Sequence, residues 1–159
     1  MKPINISITG VTAQSSQELC AEFLDIERWS DFKGYSILPG IKSASFEVKT
    51  PGLLGSRIRV QNSDGSGHVE EIIAWDVENK IELKFQEFQP PLQKIATHFI
   101  ETWDFRKASV GTHVTRSMRM YPKGLIGWFA LLPISFLMKK AFEKNLNQTS
   151  NAKGEPAKK

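Results

Sequence analysis

Two kinds of hydrophobic pattern divide the chain. Most of it alternates apolar and polar residues, which is the two-residue period of a β-strand, in stretches separated by turn residues. Strands are predicted at 3–11, 41–49, 55–62, 67–77, 80–88, 96–106 and 111–121. The last apolar stretch, 124–146, instead has the helical spacing of Leu125, Phe129, Leu132 and Phe136. The pattern predicts a sheet whose inner face packs on one long C-terminal helix.

Two short helices are predicted between the first two strands. Ser15 and Ser16 precede Glu18 in a capping-box pattern, which begins a helix that ends near Leu24, and Asp25 begins the second helix. Short turns join all the later strands. This order predicts an α+β domain with one curved antiparallel sheet of about seven strands.

The resulting pattern resembles the START-like superfamily, also called Bet v 1-like, helix-grip or SRPBCC, and within it the small polyketide cyclase/dehydrase-type proteins. The resemblance implies the helix-grip fold and a cavity for a hydrophobic small molecule such as a lipid, a polyketide or an aromatic compound. Two functions remain open under this resemblance: a carrier or sensor, and a cyclase/dehydratase-type enzyme. Neither implies a metal or nucleotide cofactor. The stretches that carry it are 23–29, 69–77 with Lys80 and Ile81, 103–105, 111–115 and 122–125.

Composition and charge exclude several other classes. The 159 residues, 40% hydrophobic and 24% charged, suit a single domain, predicted over residues 1–148 with a disordered basic tail over 149–159. The single Cys20 excludes an intramolecular disulfide. The net charge of +4 arises in 139–144 and 151–159, so the rest is near neutral and nucleic-acid binding is not expected. The first residues have no signal-peptide pattern, which predicts a cytoplasmic location.

The last two strands each carry one charged residue on the face that is otherwise apolar. Phe105 paired with Thr112 would bring Glu101 opposite Arg116 in a bidentate contact, and would pair Asp104 with His113 on the outer face. One interpretation is a buried ion pair that fixes the strand register. The other is a polar anchor, in which Arg116 meets a ligand carboxylate or enolate.

A third charged residue, Glu71, is predicted on the inner face by the same alternation. The hairpin signal Asp64-Gly65 places Glu71, Ile73 and Trp75 inward, opposite Ile58 and Val60. Glu71 would then lie near Glu87. Either the closeness of the two carboxyl groups raises the pKa of one of them and supplies an acid or base, or both lie in water at the open rim.

The candidate site combines these charged residues with the inward apolar ones. The catalytic candidates, if the protein is an enzyme, are Arg116, Glu101 and Glu71. Metal ligands are not predicted. The predicted ligand contacts are Phe46, Val60, Ile73, Trp75, Phe85, Phe99, Glu101, Trp103, Val114, Arg116 and Met118.

The last helix has an unusual apolar distribution. In its second half, Lys139, Lys140, Glu143 and Lys144 lie opposite an apolar face, but in its first half the same side carries Leu125, Phe129, Leu132 and Phe136. Either Pro133 kinks the helix and buries this side, or an exposed patch marks a ligand portal, a homodimer contact or a peripheral membrane contact. The third function hypothesis is therefore a membrane-surface or protein-interaction module.

Overall fold

One antiparallel sheet accounts for all the strands in a computed structural model, which describes the backbone of residues 1–151 and the side chains of residues 1–147. Its spatial order is β1-β7-β6-β5-β4-β3-β2, so that the first strand pairs with the last and β1 and β2 are the edges. The predicted seven-stranded sheet is confirmed. The strands are β1 (Ile4–Thr12), β2 (Ile41–Val48), β3 (Arg57–Asn62), β4 (Gly67–Asp76), β5 (Lys80–Gln86), β6 (Ala96–Lys107) and β7 (Thr112–Pro122).

Two short helices follow β1, as predicted. Helix α1 (Ser16–Leu24) begins with the predicted capping box, in which the Ser15 hydroxyl accepts from the Glu18 amide at 3.1 Å and the Glu18 carboxylate accepts from the Ser15 amide at 2.8 Å. The second is a 3₁₀ helix, Ile26–Asp31, which packs on β2. A further helical turn, α2 (Leu92–Ile95), lies where only a loop was predicted, because four residues are too few to show a period.

The C-terminal helix α3 (Gly124–Asn151) continues without a break through Pro133 and packs on β1 and β7. Gly10 on β1 permits this close approach, since a Cβ there would lie 2.6 Å from a Leu146 methyl carbon. The helix extends three residues past the predicted domain end at residue 148. The rest of the predicted tail, residues 152–159, lies outside the described residues.

The first half of α3 buries one side and exposes the other. Leu131 is fully buried and Ile134 packs on the core, whereas Ile126 is 84% exposed and Phe129 is 65% exposed. Leu125, Leu132 and Phe136 are exposed as well. The alternative in which a kink at Pro133 buries this side is therefore wrong, and an exposed apolar face remains.

Two hairpins have longer turns than the two-residue turns that the predicted registers imply, with different consequences. The β6–β7 loop has four residues, 108–111, so Phe105 pairs with Val114 and the register differs by two residues from the prediction. Faces are preserved by a shift of two. The β3–β4 turn closes over three residues, 63–65, because the Asn62 amide donates to the Ser66 carbonyl at 2.8 Å, and the register there shifts by one residue, which exchanges the faces at the start of β4.

The hydrophobic core has two parts with a cavity between them. One part lies between α3 and the β1, β6 and β7 strands and includes Leu131 and Phe142. The other lies under α1 and includes Leu19, Cys20 and Phe105. Burial, with a smaller effect of Asp76, raises the pKa of the Cys20 thiol to about 11, so this cysteine stays protonated at neutral pH and is structural.

Candidate functional site

A cavity of about 690 Å³ lies between the inner face of the sheet and helices α1 and α3. This volume is within the range of small-molecule sites. Its apolar walls come from strands β5 to β7 and from α3, and its lining also includes exposed residues of the 3₁₀ helix and the β3–β4 loop, so it opens to solvent there. The apolar lining includes Ile81, Phe85, Phe88, Phe99, Trp103, Phe105, Val114, Met118, Ile134, Met138 and Phe142.

The predicted contact between Glu101 and Arg116 is present at one side of this cavity. Arg116 Nε donates to Glu101 Oε1, which also accepts from Trp103 Nε1 at 2.8 Å. Glu101 faces Met118 across the ladder and Arg116 faces Trp103, so the two side chains meet diagonally and not directly across. One Arg116 nitrogen reaches Glu101, and the predicted bidentate geometry is therefore wrong.

The Arg116 guanidinium is held from several directions. Its carbon lies 3.6 Å from the centroid of the Phe142 ring and 4.5 Å from that of Trp103, so it is placed between two aromatic side chains. Nη1 donates to Asn145 Oδ1 on α3 at 3.3 Å. Nη2 has no hydrogen-bond partner among the described residues, and Arg116 lines the cavity. This geometry serves both interpretations: a pair that fixes the register, and one nitrogen left for a ligand.

A second polar pair, His68 and Glu70 on β4, lines the cavity at its other side. His68 Nε2 and Glu70 Oε1 are 3.0 Å apart, and the His68 ring stacks on Phe85 with centroids 5.3 Å apart. Glu70 is only 4% exposed. Burial raises the pKa of Glu70 above its usual range, and the hydrogen bond with His68 opposes part of this rise.

Sequence reasoning missed this pair because of the β3–β4 loop length. A two-residue loop pairs Val60 with residue 69, whereas the observed three-residue turn, 63–65, pairs Val60 with His68 and Ile58 with Glu70. The signal was present in the segment 63–66, where Asp64 Oδ1 accepts from the Ser66 amide at 2.9 Å. The Gly65 amide donates to the Asn62 carbonyl at 3.2 Å and Gly65 has a φ of +87°, which together form the three-residue hairpin turn that ends on a left-handed glycine.

Glu71 lies on the outer face of the sheet and not on the inner face, so its predicted place in the cavity is wrong. Its Oε2 accepts from Gln86 Nε2 at 2.6 Å and lies 3.9 Å from Arg57 Nη1. It belongs to an outer-face charge cluster of alternating sign and partial exposure. The members of this cluster are Glu47, Arg57, Arg59, Glu71 and Glu87.

Seven of the predicted contact residues line the cavity and four do not. Phe85, Phe99, Glu101, Trp103, Val114, Arg116 and Met118 are in its wall. The prediction is wrong for the other four residues, which lie outside the cavity for different structural reasons. They are Phe46, Val60, Ile73 and Trp75.

The strand positions explain these four exceptions. Within the described part of the chain, β2 and β3 contribute Ile41 and Asn62 to the lining, so Phe46 and Val60 lie beyond it. Ile73 is the extra residue of a β-bulge, where Ile72 pairs with Leu83 and Ala74 with Glu82. The bulge returns Trp75 to the inner face, where it packs under α1 against Phe23 at 5.9 Å between centroids.

The predicted Asp104–His113 pair is also wrong, because the two-residue register shift places Thr115 opposite Asp104 and His113 opposite Arg106. Among the residues that the structure describes, no group of three or more His, Cys, Asp or Glu side chains is placed to hold a metal ion.

The sheet order, the two short helices after β1 and the long C-terminal helix are those of the helix-grip fold of START-like and Bet v 1-like proteins. The predicted resemblance is confirmed at the level of the fold. No protein-family model and no curated protein matches the sequence.

Solved structures with this fold have low sequence identity to the chain. Ara h 8.0201 superposes with a TM-score of 0.63 at 15% identity, over 92% of this chain and 99% of that chain. The major latex-like protein 151 of Panax ginseng has a TM-score of 0.60 at 15% identity, over 90% and 98%. The di-domain ARO/CYC BexL from the BE-7585A biosynthetic pathway has a TM-score of 0.61 at 16% identity, over 97% of this chain and 51% of BexL. These similarities establish the fold.

Proposed function

We propose that this protein binds a hydrophobic small molecule with at least one polar group in the cavity between the sheet and α3, as a carrier or sensor. The cavity is the observation that carries the proposal. Its volume of about 690 Å³ and its aromatic and methionine side chains suit a lipid, polyketide or other aromatic ligand. The lipid carriers and hormone receptors among START-like proteins support the same function.

The test is the binding of N-phenyl-1-naphthylamine, an uncharged probe that becomes fluorescent in apolar surroundings. Met138 on α3 lines the cavity, and the substitution Met138→Trp places an indole ring in it. We expect this substitution to weaken binding at least about tenfold, a loss of about 1.4 kcal/mol.

The matched control changes the adjacent residue. Lys139 is exposed, so Lys139→Trp adds the same side chain to the same helix outside the cavity and should leave binding unchanged. Equal affinity of the two variants would contradict binding in this cavity. If the two variants differ as expected, native mass spectrometry of the protein purified from its own host would give the mass of the natural ligand.

A second candidate function is catalysis of the cyclase/dehydratase kind, favoured by the polar groups that meet in the cavity. Arg116 Nη2 has no partner within the described chain and can stabilise an enolate oxygen. BexL, a structure with the same fold, is an ARO/CYC protein. Turnover of a linear polyketide analogue by the wild-type protein, lost in Arg116→Lys while the probe still binds, would support catalysis, and the absence of turnover would reject it.

A third candidate function is docking on an anionic membrane surface through the exposed apolar face of α3. By length and composition the helix over Gly124–Asn147 could cross a membrane, with a mean hydropathy of 1.5 over 18 residues. Its opposite side packs on β1 and β7, which favours contact with a surface over a span. The same side of the helix carries three lysines after the apolar residues, and these can contact anionic lipid headgroups: Lys139, Lys140 and Lys144.

Vesicle flotation tests this docking. The protein should float with phosphatidylserine-containing vesicles, less with pure phosphatidylcholine, and not at all after Phe129→Asp. Val110, an exposed residue of the β6–β7 loop, provides the matched Val110→Asp control. Equal flotation of both variants contradicts docking through α3. If the protein is instead a dimer in solution and Phe129→Asp dissociates it, a second copy of the chain covers this face.

A further inference from the structure

The His68–Glu70 pair has the geometry of an oriented base. Glu70 is almost fully buried and contacts His68 Nε2, while the His68 ring is held by its stacking on Phe85. A carboxylate that hydrogen-bonds one imidazole nitrogen fixes the ring and determines which nitrogen carries the proton. With Glu70 ionised, Nε2 carries the proton and Nδ1 is the acceptor.

The second nitrogen of His68, Nδ1, faces a different environment. It makes no hydrogen bond with any residue that the structure describes. Because every buried side-chain nitrogen and oxygen among those residues has a partner, Nδ1 is not buried, and His68 lines the cavity. An oriented imidazole whose second nitrogen opens into an apolar cavity is suited to accept a hydrogen bond or a proton from a ligand.

Charged groups on other strands also act on this pair. Glu101 lies on β6, two strands from β4 and about 10 Å away between backbones, and Arg116 lies on β7, one strand further. Their effects on Glu70 are opposite, because Glu101 raises the pKa of Glu70 and Arg116 lowers it. The other charged lining residues are exposed and lie toward the opening: Glu22, Arg28, Asp31 and Asp64.

We propose that His68, positioned by Glu70, accepts the proton of an acidic hydroxyl, phenolic or enolic, on the ligand of this cavity. The inference rests on the proposed function, because it requires a ligand in the cavity. It adds the chemical class of that ligand and makes His68 the group that recognises it. Glu70 is a positioning residue.

The proton transfer balances within the cavity. The ligand O–H bond breaks, the N–H bond at Nδ1 forms, and the electron pair stays on the ligand oxygen. The His68–Glu70 pair goes from a charge of −1 to zero, and the ligand gains the negative charge.

The experiment uses 7-hydroxycoumarin, whose phenol and phenolate forms have different absorption spectra, bound to the full chain and titrated with base. Bound to the wild-type protein, the phenolate-to-phenol ratio at a fixed pH should exceed that of the free probe at least about tenfold, which corresponds to one pKa unit. His68→Gln should abolish this excess. Glu70→Gln should reduce it without abolishing it.

Two controls separate the outcomes. His113, a histidine of the outer face, should be replaceable by Gln with no effect on the ratio, and His68→Phe retains the ring that stacks on Phe85 if His68→Gln does not fold. An excess that persists in both His68 variants overturns the proposal, as does failure of the wild-type protein to bind 7-hydroxycoumarin while it binds N-phenyl-1-naphthylamine. Failure to bind either probe overturns the proposed function as well.

Discussion

The two faces of the sheet carry the same kinds of charged side chain in opposite surroundings. On the inner face, the Glu101 side chain is 3% exposed and its Arg116 partner 14%. In the outer-face charge cluster, the side chains of Arg57 and Arg59 contact Glu47 and Glu87 but remain partly in water. Buried charges are costly to leave unpaired, whereas exposed pairs add little. The difference predicts that the loss of an inner charge lowers the free energy of unfolding more than the loss of an outer one.

The largest effect is expected from Arg116→Met. It leaves the Glu101 carboxylate buried with Trp103 Nε1 as its remaining partner, and loss of one partner of a buried pair costs about 3–5 kcal/mol. Chemical denaturation measures this loss. The double variant Arg116→Met, Glu101→Gln should recover most of it, because a neutral amide still accepts from Trp103. A loss below about 1 kcal/mol in the single variant would show that the pair is not a buried structural unit.

An intermediate effect, dependent on pH, is expected from Glu70→Gln. Burial raises the pKa of Glu70 from 4.5, so the folded state holds its proton to a higher pH than the unfolded state does. The wild-type protein therefore loses stability relative to the variant as pH rises from about 4.5 to the raised pKa of Glu70. Thermal unfolding from pH 4 to pH 8 measures the difference. A constant difference across this range contradicts the buried position of Glu70.

The smallest effect is expected from Glu71→Gln, one residue further along β4. Glu71 lies on the outer face beside Arg57 and Gln86, where water screens its charge. Thermal unfolding at pH 7 should give a midpoint close to that of the wild-type protein. If the pH dependence followed Glu71 and not Glu70, the face assignment of β4 would be reversed.

The last hairpin shows why much of the fold was predictable. In β6 and β7 a strict alternation places Glu101 and Arg116 among apolar residues, and this determines the face of each residue whatever the exact register. The predicted register was wrong by two residues, yet the ion pair forms, because long side chains reach diagonal neighbours. The helix-grip architecture followed from the same alternation and from the helical period of α3.

Strand β4 shows what the pattern could not determine. Its sequence has apolar residues at both odd and even positions, so the face depends on the loop that precedes it and on the bulge at Ile73. The turn was predicted one residue too short, which exchanged Glu70 for Glu71 and hid His68. In α3, the helical period located the apolar face, but whether the face was buried depended on tertiary packing.

The most direct test of ligand binding in the cavity uses the four methionines of the chain. Met118 and Met138 line the cavity, whereas Met120 is buried outside its lining and Met1 is exposed. In a protein with ¹³C-labelled methionine methyl groups, titration with N-phenyl-1-naphthylamine should shift the Met118 and Met138 signals in a saturable manner and leave Met1 and Met120 largely unchanged. Saturable binding that leaves Met118 and Met138 unshifted would contradict the account, because the ligand would then lie outside the cavity.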